Sequence, residues 1–182
     1  PPMNPPERPV VTTFGSSKPK PGDPRYTQAY ELGCALGQAG YTLCNGGYGG
    51  TMEATAKGAK DAGSSTIGVT CTCFSRSGPN PYIDREIPTD DLMARLKILL
   101  DIGQAYVVLP GGSGTLVELA LVWELIAKRL APVRPIILYG HFWQPVIRIT
   151  AAERPDTANL VQTAANHEEA VKLIAKALPH PA

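Results

Sequence analysis

Three glycine-rich segments of the sequence each follow a short run of apolar or β-branched residues. The first is Phe14-Gly15-Ser16-Ser17, the second is Asn45-Gly46-Gly47-Tyr48-Gly49-Gly50-Thr51, and the third is Pro110-Gly111-Gly112-Ser113-Gly114-Thr115. Glycine after a strand lets the backbone turn sharply, and a helix that starts there adds unpaired N–H groups and the positive end of its dipole. Phosphate is the natural ligand of such a turn. The three segments together therefore predict that these residues bind a phosphorylated ligand.

The same segments lack the other residues of two common nucleotide-binding motifs. No Gly-Lys-Ser or Gly-Lys-Thr follows the glycines, and the first segment does not read G-x-G-x-x-G. The sequence therefore supports neither a P-loop ATPase nor a standard dinucleotide-dependent dehydrogenase. It also contains nothing that resembles a Ser-His-Asp or Cys-His arrangement.

Two charged residues are candidates for catalysis because their neighbours are apolar. Between Leu116 and Ala127 only Glu118 and Glu124 are polar, and a carboxylate in such surroundings is costly unless it is paired or used. Glu118 lies one turn into a predicted helix, so stabilisation by the helix dipole is the alternative explanation. Arg95 lies one helix earlier and is its natural partner, although the local pattern fits a solvated surface arginine equally well.

The cysteines do not indicate a metal site. Cys71 and Cys73 form the only close pair among the four, and none of the three histidines lies near them. A zinc site normally needs a second pair of ligands. We therefore expect all four cysteines, which include Cys34 and Cys44, to be buried or partly buried thiols. Neither a metal nor a cofactor is expected.

Strand-like and helix-like segments alternate along the chain and must position these residues. Apolar or β-branched runs predict strands over 10–14, 41–44, 65–70, 105–109 and 135–139, with a further short strand over 160–163. Helical spacing predicts helices over 25–39, 52–62, 115–130, 141–151 and 167–177, and one more that Thr89 caps. The stretch 71–87 is rich in Ser, Gly, Pro and Asn and is expected to be irregular.

This alternation predicts an α/β fold, a doubly wound parallel sheet with helices on both faces. The sequence has no internal repeat and no low-complexity linker, so residues 1–182 are expected to form one domain. Residues 1–9 are interpreted as a proline-rich extended arm and residues 178–182 as a frayed tail. Ligands of such sheets bind beyond the carboxyl ends of the strands, where the glycine segments lie.

The composition excludes several classes of protein. A chain of 182 residues that is 43% hydrophobic can bury a sizeable core. With 17 Lys and Arg against 16 Asp and Glu, it has no basic field for holding nucleic acid. No apolar run approaches the length of a membrane span, and the N-terminus has no signal-peptide pattern. We therefore expect a soluble cytoplasmic protein that binds neither nucleic acid nor a membrane.

The predicted helix over 115–130 is apolar nearly all round. Such a helix is buried on nearly all sides. One side can face the sheet, and the other needs another helix or a second subunit. The pattern therefore favours a homodimer.

Residues Pro110 to Glu118 read PGGSGTLVE and resemble the PGGxGTxxE motif of the LONELY GUY (LOG) family, which also carries the label lysine decarboxylase-like. The order of segments is similar too, since GSS follows the first strand, a GG-x-G turn follows the second, and Arg95 lies one helix before the motif. The resemblance covers most of residues 9–150. It implies a Rossmann-like fold, usually dimeric, and hydrolysis of a nucleoside 5′-monophosphate to free base and ribose 5-phosphate.

The resemblance also implies roles for individual residues. In LOG enzymes the motif glutamate and the upstream arginine are the catalytic pair, which here correspond to Glu118 and Arg95. The carboxylate would stabilise an oxocarbenium-like transition state or activate water, and the guanidinium would steady the departing base. The turn from Gly111 to Thr115 would hold the 5′-phosphate of AMP or of a cytokinin-type nucleotide. A pyridoxal-phosphate decarboxylase is not expected, because no lysine stands out as a Schiff base.

One departure from the family pattern supports an alternative function. In the best-known LOG members the arginine lies within Met-His-x-Arg-Lys, whereas residues 92–96 read Leu-Met-Ala-Arg-Leu. The absence of the histidine and lysine favours a carrier or sensor that binds a nucleotide or nucleotide-like cofactor without hydrolysing it. The presence of both Arg95 and Glu118 favours the enzyme.

Overall fold

A computed structural model describes residues 8–74 and 78–178 of the chain. Its strands are β1 (Val10–Phe14), β2 (Thr42–Asn45), β3 (Thr66–Cys71), β4 (Arg85–Thr89), β5 (Ala105–Val108), β6 (Ile136–Tyr139) and β7 (Val161–Ala164). Its α-helices are α1 (Pro24–Gln38), α2 (Thr51–Asp61), α3 (Leu92–Ile102), α4 (Ser113–Ala127), α5 (Gln144–Glu153) and α6 (His167–Ala177), and a 3-10 helix spans Pro155–Leu160.

The strands form one parallel sheet in the order β4-β3-β2-β1-β5-β6-β7. The chain proceeds outward from β1 to β4, then crosses to the other side of β1 for β5, β6 and β7. The strand order therefore reverses between β1 and β5, and doubly wound sheets bind their ligands at such a reversal. The predicted doubly wound, Rossmann-like α/β fold is confirmed.

Helices cover both faces of the sheet and build two apolar cores. On one face α1, α2 and α6 contribute buried residues such as Leu32 and Ile174. On the other face α3, α4 and α5 contribute Leu99, Val122 and Ile147. Every residue of β1 and β5 is buried, which explains why these strands read as continuous apolar or β-branched runs.

The prediction of an irregular stretch over 71–87 holds for the described residues 72–74 and 78–84, which lie in neither a helix nor a strand, but it is wrong at both ends. The prediction of a helix cap at Thr89 is wrong. The edge strand β4 pairs with β3, and Thr89 Oγ1 donates a hydrogen bond to Thr70 O at 2.7 Å. The cap of α3 is Asp91, whose carboxylate accepts a hydrogen bond from Ala94 N at 2.8 Å. Most of β4 is exposed at the sheet edge, so this strand does not need the apolar run that would have revealed it.

The expectation of four thiols holds for only two of the cysteines. Cys71 and Cys73 form a disulfide at the end of β3, with Cα atoms 5.3 Å apart. Cys34 and Cys44 are free, and burial raises the pKa of the Cys44 thiol to about 12. The prediction is wrong for the close pair because spacing alone does not distinguish two thiols from a disulfide.

Parts of the predicted arm and tail, residues 1–7 and 179–182, lie outside the described residues. Within the described part of the chain, no helix is long and apolar enough to cross a membrane. Those same residues contain no group of three or more His, Cys, Asp or Glu side chains that could hold a metal ion.

Candidate active site

A cleft of about 730 Å³ lies where the strand order reverses between β1 and β5. Its volume falls within the range of small-molecule sites. The residues predicted from sequence that line it are Gly15, Ser16, Ser17, Gly112, Ser113, Gly114, Thr115, Arg95 and Glu118, whereas Gly46, Gly47 and Gly111 do not line it. The first and third glycine segments therefore share one cleft with both charged candidates.

The first segment is fixed in place by its neighbours. Ser16 O accepts hydrogen bonds from Thr51 N at 2.8 Å and from Thr51 Oγ1 at 3.1 Å, which ties the loop to the start of α2. Leu109 N donates to Phe14 O at 2.9 Å, so the ends of β1 and β5 stay together. These bonds hold the first and third segments at a constant separation.

The third segment forms the N-terminus of α4. Gly112 caps the helix without a side-chain hydrogen bond, and the first N–H groups of any helix lack partners within it. Ser113 and Gly114 are exposed to the cleft. A Cβ at Gly111 would collide with the side chain of Thr115, so glycine is needed there to leave room for that side chain. This helix end offers N–H donors and positive dipole charge to an anion.

The second segment lies next to residues that line the cleft. Asn45 Oδ1 accepts from Gly47 N at 2.8 Å, and Asn80 Nδ2 donates to Gly47 O at 3.1 Å. A Cβ at Gly46 would collide with the guanidinium of Arg95. The adjacent side chain of Tyr48 lines the cleft instead. In this structure Gly46 makes room for Arg95.

Arg95 is held rigidly on α3 and is only 6% exposed. Its Nε donates a hydrogen bond to Val69 O at 2.8 Å. The Cζ atom lies 5.7 Å from the ring centre of Tyr48 and 5.6 Å from that of Phe74, within the distance of a cation–π interaction. The guanidinium is therefore oriented before any ligand binds.

Glu118 lies opposite, on the second turn of α4, with a side chain that is 12% exposed. Its Oε1 atom is 3.7 Å from Arg95 Nη1, an ion pair that is too long for a direct hydrogen bond. Burial raises the pKa of Glu118 to about 7, and the positive charge of Arg95 opposes this rise. The carboxyl group can therefore gain or lose a proton near neutral pH, as a general acid or base requires.

Sequence reasoning missed several residues that line the cleft, notably Lys18, Tyr48, Cys73 and Phe74. Tyr48 lies inside the second glycine segment, and an aromatic residue among glycines was the available indication of a role. Phe74 lies beyond the end of β3 in the stretch expected to be irregular. Only the sheet order brings that stretch next to Arg95, so no local pattern could have identified it.

Comparison with known proteins gives three findings. The SLOG cluster4 family model matches residues 8–171. The chain is 35% identical over 118 residues to the cytokinin riboside 5′-monophosphate phosphoribohydrolase of Mycobacterium tuberculosis, and the match covers 63% of each chain. It is 32% identical over 127 residues to the pyrimidine/purine nucleotide 5′-monophosphate nucleosidase of Escherichia coli, covering 63% of this chain and 28% of that protein. The chain thus spans less than two thirds of the length of these two relatives.

Several solved structures match nearly the whole chain. The molybdenum cofactor carrier protein of Chlamydomonas reinhardtii superposes with a TM-score of 0.75 at 27% sequence identity. The superposition covers 94% of this chain and 99% of the carrier protein. Proteins named as hydrolases and a protein named as a carrier are therefore both similar to this chain.

Proposed function

Because the chain belongs to the SLOG cluster4 family, we propose that it hydrolyses the N-glycosidic bond of a nucleoside 5′-monophosphate, AMP or a cytokinin-type nucleotide. The products are the free base and ribose 5-phosphate. The observation that carries this proposal is the buried pair of Arg95 and Glu118 on the cleft wall. The names of the two similar enzymes support it, as does the LOG-type motif that ends at Glu118.

The 5′-phosphate binds at the N-terminus of α4, with Ser113, Gly114 and Thr115 offering N–H groups and the first segment closing the other side. Lys18 on the same cleft wall adds a positive charge. A phosphate held there anchors the nucleotide away from the reacting bond, so its binding energy positions the ribose.

Glu118 acts at the anomeric carbon. In its ionised form it accepts a proton from a water molecule whose oxygen bonds to C1′, while the electron pair of the C1′–N bond passes to the base. The proton that Glu118 has taken up then reaches the departing base. The same carboxylate stabilises the positive charge that develops on the ribose in the transition state.

Arg95 stabilises the negative charge that develops on the departing base. Its guanidinium remains charged throughout, so it stabilises that charge without transferring a proton. Its fixed orientation beside two aromatic rings means that little reorganisation accompanies the reaction.

A second candidate function is the binding of a nucleotide or nucleotide-like cofactor without hydrolysis. The similarity to the molybdenum cofactor carrier protein over 94% of this chain favours it. Met93 and Leu96 beside Arg95 also favour it, because they stand where LOG enzymes have a histidine and a lysine. The two candidates share the cleft and differ in what happens to the bound ligand.

We also propose that the chain forms a homodimer through α3 and α4. Leu92, Met93, Leu116 and Val117 on these helices are 42%, 67%, 36% and 46% exposed. A second subunit would cover this apolar surface, as expected for a helix that is apolar nearly all round.

Chromatography of the free base tests the proposed reaction. The purified chain is incubated with AMP, GMP, CMP and isopentenyl-adenosine monophosphate. We expect release of base from at least one of them, and a loss of about 100-fold or more in the variants Arg95→Ala and Glu118→Gln. Glu124→Gln is the matched control, since Glu124 lies on the same helix but is half exposed and paired with Lys128.

The outcomes separate the two candidate functions. Binding of AMP by calorimetry without release of any base would support the carrier and contradict the hydrolase. Release that survives in both Arg95→Ala and Glu118→Gln would contradict the assignment of the catalytic pair.

A further inference from the structure

The disulfide joins a rigid strand to the wall of the cleft. Cys71 is the last residue of β3, is 3% exposed, and pairs in register with Thr89 of β4. Cys73 lies two residues further on, is exposed, and lines the cleft. The bond between them therefore fastens a residue of the cleft wall to the sheet.

Cys71 also contacts the two aromatic residues that lie beside Arg95, Phe74 on the same turn and Tyr48 on the turn after β2. Tyr48 Oη accepts a hydrogen bond from Cys71 N at 2.8 Å and donates one to Cys71 O at 3.1 Å. Phe74 N donates to Cys71 O at 3.2 Å. The rings of Tyr48 and Phe74 are 5.9 Å apart, and each lies against the guanidinium of Arg95. Cys71 thus connects the disulfide to both rings.

We propose that the Cys71–Cys73 pair is a redox-sensitive modification site whose oxidised form holds Phe74 over Arg95 and so strengthens ligand binding in the cleft. The inference rests on the proposed nucleotide function of that cleft. The affinity of the cleft for a nucleoside monophosphate should therefore depend on the redox state of the pair, and a thiol is the reagent that changes this state.

The chemistry is thiol–disulfide exchange. A thiolate of the reductant attacks a sulfur of the disulfide and forms a mixed disulfide, and a second thiol of the reductant then displaces the protein. Cys71 and Cys73 each gain one electron and one proton, and two reductant thiols become one disulfide. Oxidised glutathione reverses the exchange. Cys73 is exposed, so an incoming thiolate can reach it.

Reduction removes the covalent part of the attachment. Cys71 stays in the sheet, because Thr72 N continues to donate to Thr89 O at 2.9 Å. Cys73 and Phe74 then depend on the Phe74 N bond to Cys71 O and on ring contacts. These two residues are then less ordered before the ligand binds, and ordering them on binding lowers the affinity.

The test measures AMP binding by calorimetry in reduced and in oxidised glutathione, with alkylation and mass spectrometry to count free thiols. We expect reduction to weaken AMP binding about 5-fold or more. Cys73→Ser should bind weakly in both buffers, whereas the control Cys34→Ser should respond as the wild type does. By linkage, AMP should stabilise the disulfide. Half-reduction of the protein should then need a ratio of reduced to oxidised glutathione that is higher by the same factor.

Equal AMP affinity in the two states overturns the proposal, as does a pair that stays oxidised or stays reduced at every glutathione ratio. If AMP binds in neither state, the proposed nucleotide function fails, and hydrogen exchange then decides the structural part separately. Faster exchange of the Cys73 and Phe74 amides on reduction supports the attachment of the wall, and unchanged exchange contradicts it.

Discussion

At the scale of single residues, the proposed reaction depends on the protonation state of Glu118. Burial raises its pKa to about 7, so near neutral pH both forms are populated. Since the ionised form accepts the proton of water, we expect kcat/KM for base release to fall tenfold per pH unit below about 7 and to level off above it. A pH profile of base release measures this. Glu124→Gln should show the same profile, and a flat wild-type profile would contradict the role of Glu118.

The same pKa shift predicts a pH-dependent cost in stability. The pKa of Glu118 in the folded protein lies above its unfolded value of about 4.3, so the folded state binds the proton more tightly. The free energy of unfolding therefore decreases as the pH rises between these two values. Glu118→Gln cannot ionise and should not lose stability in this way. Its free energy of unfolding minus that of the wild type should therefore be larger at about pH 8 than at about pH 5, by about 1–3 kcal/mol. Urea unfolding at both pH values gives the difference, and an equal difference at both would contradict the shift.

Sequence reasoning reached some residues of the cleft and not others. Glu118 was identifiable because a carboxylate in an apolar helix is conspicuous, and its pairing with Arg95 followed from the order of the elements. Tyr48 and Phe74 were not identifiable, because residues in loops have no periodicity that indicates where their side chains point. Their approach to Arg95 depends on strands that are distant in sequence.

At the scale of elements, the turn between β2 and α2 leaves room for the side chain of Arg95 on α3 only because Gly46 has no side chain. A Cβ at Gly46 would collide with the guanidinium of Arg95 and lie 2.7 Å from Met52 Sδ, whereas nothing lies within 4 Å of a Cβ at Gly49. We expect Gly46→Ala to displace Arg95, to lower base release about tenfold or more, and to cost about 1–3 kcal/mol of unfolding free energy. Gly49→Ala is the matched control. Assays of base release and urea unfolding compare the two, and equal behaviour would contradict the contact.

Elements were predictable where burial on both faces leaves a continuous apolar or β-branched run in the sequence. β1 and β5 are covered on both faces and read as unbroken buried runs. β4 pairs with only one strand and is mostly exposed, so its residues carry neither an apolar run nor a strict alternation. Tertiary pairing with β3, and not local propensity, makes Arg85–Thr89 a strand.

At the scale of the whole molecule, the fold supplies a position for the site without fixing its chemistry. The strand order brings the ends of β1 and β5 together, so two glycine segments that are nearly 100 residues apart line one cleft. Relatives named as nucleotide hydrolases and as a cofactor carrier are both similar to this chain. The proposed reaction therefore rests on the pair of Arg95 and Glu118 and not on the sheet.

The apolar surface of α3 and α4 connects the cleft to the proposed assembly. Leu92 and Val117 line the cleft, and the neighbouring Met93 is 67% exposed. A second subunit packed on this surface would exclude water from the rim of the cleft, so loss of the dimer should also lower activity.

Charge on this surface should therefore separate the subunits without unfolding them. Since Met93 is mostly exposed, Met93→Glu should cost little stability in the monomer but would bury a carboxylate in the dimer. We expect sedimentation velocity to give a dimer for the wild type and a monomer for Met93→Glu, with base release reduced about tenfold. The control is Ile149→Glu on α5, where the side chain is 76% exposed and a charge should leave the dimer intact. A wild-type monomer with full activity would contradict the proposed dimer. If Met93→Glu is still a dimer, the interface does not include Met93 of α3.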